Sequence, residues 1–293
     1  MSTQFRWYSM LMALMAPLAA YAQFAYVPNE RSGTLSVIDL AKDEVVGSIA
    51  AGKRPRGIAA AVDRKSIYVS DQQANALLIV DLASRAVVRR IDLGESPEGV
   101  GRSADGKWIV TAVEEDNAVF FIDAASGKVE FKVKTEGENP EHAVFSPDGK
   151  WVFVSAEESQ VVDVIDVGAR KLAGAIRVGK RPRGIGFTPD GARAYVACEI
   201  ANTVYAIDVA AQKVVATIPA GIRSNGIKIH PSGREVYVSN GADGTVNVID
   251  TASNQITHTI RVGQRPWNMA LTADGSKLYV ANGRSNSVSV IDT

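Results

Sequence analysis

Seven aspartates divide the chain at near-equal intervals. Asp39, Asp81, Asp123, Asp166, Asp208, Asp250 and Asp292 each follow Ile or Val, separated by 42, 42, 43, 42, 42 and 42 residues. A period in this range, built from short apolar runs and turn residues, predicts a β-propeller in which each repeat supplies one four-stranded blade. The expectation is an all-β, seven-bladed ring, and it leaves the chemistry open.

The strands can be placed within one repeat, Arg56 to Ser96. An inner strand over Gly57–Val62 precedes a second at Ile67–Ser70, a third at Ala76–Asp81 and a fourth at Ala86–Leu93. Third strands such as Ala-Val-Phe-Phe-Ile-Asp show little polar alternation, as expected of sheets covered on both faces. Ser146–Gly149, Thr188–Gly191 and His230–Gly233 place Pro early and Gly late in tight reversals. The repeated aspartates read as turn residues that bond the backbone two positions onward. The chain opens on a second strand near Phe24–Val27 and stops after a third at Asp292, so the first and last blades are incomplete, with 26 strands where 28 would close the ring. The two ends are expected to meet in one ring position.

Residues 1–22 read as a secretory signal peptide. Arg6 precedes the apolar run Met10–Ala20, and Ala20-Tyr21-Ala22 supplies a small-x-small cleavage site. Cleavage after Ala22 would leave residues 23–293 as one repeat domain, periplasmic or secreted. The run is shorter than the roughly 20 apolar residues that span a bilayer, so no membrane span is expected. Cys198 is the single cysteine, which rules out an internal disulfide. Its lack of a basic neighbour in sequence marks it as an inert thiol. With 32 basic and 32 acidic residues the chain has no nucleic-acid footprint.

The second strands Tyr68-Val69-Ser70-Asp71, Tyr237-Val238-Ser239-Asn240 and Tyr279-Val280-Ala281-Asn282 resemble the repeat of YVTN-type β-propellers, a WD40-like repeat class. Gly-x-x-Pro-x-Gly at Gly52–Gly57, Gly94–Gly99 and Gly179–Gly184 belongs to the same pattern. With a leader joined directly to seven repeats, and Gly-Lys-Arg-Pro-Arg-Gly and Gly-Gln-Arg-Pro-Trp motifs, the chain is similar to the periplasmic propellers associated with pyrroloquinoline-quinone (PQQ)-dependent alcohol catabolism. That resemblance implies a quinoprotein dehydrogenase or a transport system as partner, and no demonstrated reaction.

Strands reverse at every turn, so the Gly-x-x-Pro loops share one end of the ring with the loops that follow the second strands. The first set contributes Arg56, Glu98, Glu141, Arg183, Asn225 and Trp267 after the Pro position, and Arg54, Ser96, Asn139, Arg181, Arg223 and Arg265 before it. The second contributes Glu30, Gln72, Glu114, Glu157, Glu199, Gly241 and Gly283. Glu98, Glu114, Glu141 and Glu157 form an acidic arc that could hold a cation or dock a basic partner. It reads equally as a solvated surface balanced by Arg56 and Arg183, whose replacement would then leave stability unchanged. His142 stands where several other repeats have Gly, either reshaping its loop or serving Glu141. Trp267 is placed to anchor a ligand or to pack over Pro266.

Catalytic patterns are sparse. The histidines, His142, His230 and His258, fall on different parts of a blade and cannot share a metal. There is no haem attachment motif, nucleophile elbow or phosphate-binding glycine loop. The favoured reading is a non-catalytic exported propeller that owns no cofactor and binds a periplasmic protein or a small molecule on its loop face. Two alternatives stand beside it: a propeller lactonase or lyase using Glu141, His142 and Arg183, and a cofactor-free subunit of a quinoprotein dehydrogenase. Fold alone does not choose among them.

Overall fold

Runs of six or seven residues rich in Val, Ile, Tyr and Phe, closed by Asp, Asn or Gly, become strands because branched and aromatic side chains fit a pleated, buried surface. A computed structural model of the chain describes residues 23–293 and contains 26 such strands and no helix. None of the described residues forms a helix long and apolar enough to cross a membrane. The leader expected over residues 1–22 lies outside the described residues.

The strands form seven antiparallel sheets arranged as seven blades in a ring, a β-propeller. Blades 2 to 7 each run outward from an inner strand, and these inner strands touch in succession around the centre, while blade 1 begins on a second strand. Blades 2 to 6 have four strands. Blade 1 has three, Phe24–Asn29, Thr34–Asp39 and Glu44–Ala50, and blade 7 has three, Pro266–Leu271, Lys277–Asn282 and Ser287–Asp292. Each terminal sheet pairs only its own strands, so the two ends occupy adjacent ring positions rather than sharing one.

Apolar clusters fill the seams between blades. Leu35, Val37, Ile67 and Val69 join blades 1 and 2, and the series continues to Tyr237, Met269, Leu278 and Val280 between blades 6 and 7. Each such side chain, fully buried, stabilises the ring by about 1.5–3 kcal/mol. The seam between blades 7 and 1 is polar. Asp43 of blade 1 accepts from Lys277 Nζ and from the Tyr279 hydroxyl of blade 7, both at 2.5 Å. The same tyrosine bond recurs inside the ring, where Tyr195 of blade 5 donates to Asn254 of blade 6 at 3.0 Å. Asp43 and Asn254 hold equivalent turn positions, with φ of 56° and 54°.

The repeated aspartates are turn residues, with one correction to the register. Asp81, Asp123, Asp166, Asp208 and Asp250 accept a backbone N–H three residues on, and only Asp39 bonds two residues on. The turns around them are one residue wider than a simple Asx reversal. At the other turn, Ser146 donates to Asp148 and accepts from the Trp151 N–H at 3.0 Å, which closes the Ser-Pro-Asp-Gly loop.

Candidate functional site

Every inner strand begins with a bulge. In blade 2, Pro55 pairs with Asp71 and the register resumes only at Ile58 with Val69, so Arg56 and Gly57 fall outside the ladder. A bulge re-aims the side chain it carries, and this one turns Arg56, Glu98, Glu141, Arg183, Asn225 and Trp267 toward the ring mouth. Glycine follows most of them because adjacent inner strands approach closely: a Cβ on Gly184 would meet Asn225 O at 2.5 Å, and one on Gly99 would meet Glu141 O at 2.6 Å. Blade 4 carries His142 there instead. Its bulge is one residue narrower, with His142 paired to Ser155.

Serines tie the bulges to the next blade, a feature the sequence reading missed. Ser70 accepts from the Gly57 N–H at 2.8 Å and donates to Glu98 O at 2.5 Å, while Ser239 does the same between Gly226 and Trp267 O. The signal was present in Tyr-Val-Ser-Asx. The loop residue before the Pro position takes a left-handed backbone in blades 3 to 7, with φ of 62° at Arg181 and Arg223 and 52° at Arg265. Cross-loop bonds hold some of these positions: Asn202 accepts from the Arg223 N–H and Asn117 from the Asn139 N–H, both at 2.8 Å.

The acidic arc is an interior network. Glu98, Glu141, Glu157, Glu199 and Arg183 are all under one-tenth exposed, which corrects the reading of a solvated loop surface. Arg183 bonds Glu141 at 2.6 Å, Glu157 at 2.8 Å and Glu199 at 3.0 Å. Arg56 bonds Glu98 at 2.8 Å and reaches Glu141 at 3.7 Å and Glu30 at 3.4 Å. Arg181 pairs with Glu157 and with Glu199 at 3.2 Å, Arg223 reaches Glu199 at 3.4 Å, and Arg54 meets Glu30 at 3.5 Å on the surface. The arginines come from flanking repeats, as expected, but they penetrate the arc rather than face it.

Burial sets the protonation pattern. It pushes Glu98 up to about 8, with Glu141 adding to the effect and Arg56 opposing it, and Gln72 donates to the same carboxyl. Burial likewise raises Glu157 to about 7 against the pull of Arg183. On Glu141 burial is overcome by Arg183, His142 and Arg56, which hold the carboxyl below its usual range. Burial lowers His142 against the pull of Glu141, with Arg183 and Arg56 lowering it further, and its ring has no hydrogen-bond partner among the described residues. Carboxylate oxygens of Glu114, Glu141 and Glu157 lie within 4.8 Å of one another and are the group best placed to hold a metal. Two of the three are already committed to Arg183, and Glu114 accepts from Ser96 at 2.8 Å.

Beside this network, at blades 5 to 7, the mouth opens into a hollow of about 390 Å³. Arg181, Arg183, Arg223, Arg265 and Arg284 line it against a single carboxylate, Glu199. Trp267 forms part of the wall with the Arg265 guanidinium 4.4 Å and that of Arg183 5.7 Å from its ring, so it packs against arginine. Burial and the neighbouring Arg284 lower the proton affinity of Arg265. A second hollow, about 480 Å³, lies on the flank of blade 6 around Asn247 and Arg261 and contains no mouth residue. Cys198 is fully buried in the seam between blades 4 and 5, and burial pushes its thiol up to about 12, which fits the inert reading.

Known proteins place this architecture. Residues 170–293 match the family model described as lactonase, 7-bladed beta-propeller, and residues 18–107 match that of the YNCE-like beta-propeller. The chain is a β-propeller repeat protein. Among solved structures it is similar to hydrazine synthase of Kuenenia stuttgartiensis, at 23% identity over 92% of both chains with a TM-score of 0.84. It is also similar to a functionally unknown protein from Desulfotomaculum acetoxidans, at 19% identity over 92% of both chains with a TM-score of 0.80. At these identities the likeness is one of fold. A search of curated proteins finds no match.

Proposed function

We propose that this protein is an exported, non-catalytic recognition propeller whose mouth binds an anionic small molecule in the arginine and tryptophan hollow. The observation that carries the reading is the charge imbalance there, five arginines against Glu199 around about 390 Å³. Arg181, Arg183 and Arg223 are already paired with glutamates, whereas Arg265 and Arg284 have no carboxylate partner among the described residues, and guanidinium groups so placed are stabilised by a ligand carrying carboxylate or phosphate groups. Trp267 adds a flat apolar surface for the ligand's body. Resemblance to the propellers associated with PQQ-dependent alcohol catabolism supports placing the protein in the periplasm as an accessory to that oxidation system.

The test is calorimetry of the mature chain with citrate and with planar benzene-1,3,5-tricarboxylate. Binding should weaken as salt rises and fall about tenfold or more in Arg265→Gln, the consequence of losing one charge-assisted contact. Failure of both probes to bind, or equal binding by the variant, sinks the reading.

An enzymatic reading keeps one specific support, the match of residues 170–293 to a propeller lactonase family. It would rest on Glu141, His142 and Arg183. Against it, the Glu141 carboxylate is occupied by Arg183 and Arg56, which leaves His142 as the one unbonded member of that trio among the described residues. Lactone turnover by the purified chain that disappears in His142→Ala would establish this second reading instead.

A further inference from the structure

The third residue after the mouth position of each inner strand lines the ring centre: Ala59, Gly101, Val144, Gly186, Lys228 and Ala270. Five are partly exposed and Ala270 is exposed although they lie on the innermost strands, as residues bordering an open channel must be. Five are small or apolar. Lys228, on the inner strand Ser224–Ile229 of blade 6, breaks the pattern with a cation.

That cation has no counterpart. Lys228 makes no salt bridge or side-chain hydrogen bond among the described residues, whereas the buried arginines at the mouth each hold two or more carboxylates. Its neighbour in register, Tyr237, gives its hydroxyl to Glu235. His142 lies on the inner strand Pro140–Phe145 of blade 4, with one blade between it and Lys228, so both residues stand on strands that border the ring centre. His142 and Asn268 depart from glycine at the inner-strand position after the mouth residue, and the His142 ring, like Lys228, makes no side-chain hydrogen bond among the described residues. Chance substitutions toward bulk and polarity at two tight positions would each cost stability; a ligand between them would offset that cost.

We propose that the central channel below the mouth binds a short-chain monocarboxylate, with the Lys228 ammonium as its counter-charge and His142 donating from the inner strand of blade 4. The class follows from the surroundings. One ammonium balances one negative charge, so a phosphate dianion would be left half compensated, and the walls of Ala59, Gly101, Val144 and Gly186 suit a short alkyl body. This site is separate from the arginine hollow and stands whether or not that hollow binds anything. Burial holds the Lys228 amine below its usual range, with no carboxylate opposing it; the charged groups above are Glu141, already taken by Arg183, and Arg56. A bound anion raises the proton affinity of the amine, so binding takes up a proton and weakens as pH rises.

Calorimetry of the mature chain with propionate, in two buffers of different ionisation heat, tests the site. The expected result is saturable binding with proton uptake, absent for propionamide, reduced at least about tenfold in Lys228→Met and unchanged in Arg265→Gln. Propionate should also slow covalent labelling of Lys228 in the unaltered protein relative to its other lysines, a readout that needs no variant. No saturable binding, equal binding by Lys228→Met, or labelling of Lys228 indifferent to propionate overturns the proposal.

Discussion

Arg183 changes meaning between the linear chain and the folded one. As one of several arginines after Gly-x-x-Pro it reads as a loop cation, yet it is 5% exposed and bonded to three glutamates. Arg183→Ala would therefore strand buried carboxylates, a loss of about 3–5 kcal/mol. Arg54→Ala, at a half-exposed surface pair, should stay within about 0.5 kcal/mol. Urea unfolding of the two variants separates these outcomes. Asp163 gives a second residue-level expectation. It is fully buried, accepts from the Gly137 N–H at 3.0 Å through one oxygen, and its other oxygen has no partner, so burial raises it to about 6. The folded state thus binds this proton more tightly than the unfolded state, and stability falls as pH rises from about 4 to about 6, by roughly 3 kcal/mol for a shift of about two units. Glu157 and Glu98 extend the decline toward pH 8. Thermal unfolding should show the chain more stable at pH 5 than at pH 8, and Asp163→Asn should flatten the lower part of that profile.

At the level of the strand, position was legible in the sequence and depth was not. Period, turn residues and unbroken apolar third strands gave the blades, the bulge residues and the companion loops, because each depends on local spacing. Which glutamates are buried depends on how adjacent blades close, and nothing local encodes that for Glu98 or Glu157. The bulge serines lie between these cases: Ser70, Ser155 and Ser239 alternate with Ala112, Ala197 and Ala281 at one repeat position, a pattern visible without a structure but meaningless until the bulges are seen. Ser239→Ala removes the bridge from Gly226 N–H to Trp267 O, leaving both buried groups short of a partner. The expected loss is about 1–3 kcal/mol in urea unfolding. Anion affinity at the mouth should drop with it, because Trp267 loses its anchor, whereas Ser146→Ala on the opposite face should lower stability and leave affinity alone.

For the whole ring, the polar seam between blades 7 and 1 differs from the six apolar ones. Asp43→Ala should accelerate amide exchange in those two blades ahead of the others, since removing one acceptor loosens both Lys277 and Tyr279. Uniform exchange around the ring would show that the seam carries no special weight. The mouth has its own large-scale asymmetry. Blades 3 and 4 present Glu95, Glu114, Glu115, Asp116 and Glu138 around an arc already neutralised inside, while blades 5 to 7 present Arg223, Arg265 and Arg284 around the hollow. Balanced overall charge conceals this separation, which lies across the face rather than along the channel. The molecule therefore carries a lateral dipole in the plane of its rim. A partner with opposite charges at its two ends would be turned into register before contact, so its rate of arrival, more than its final affinity, should fall as salt is added.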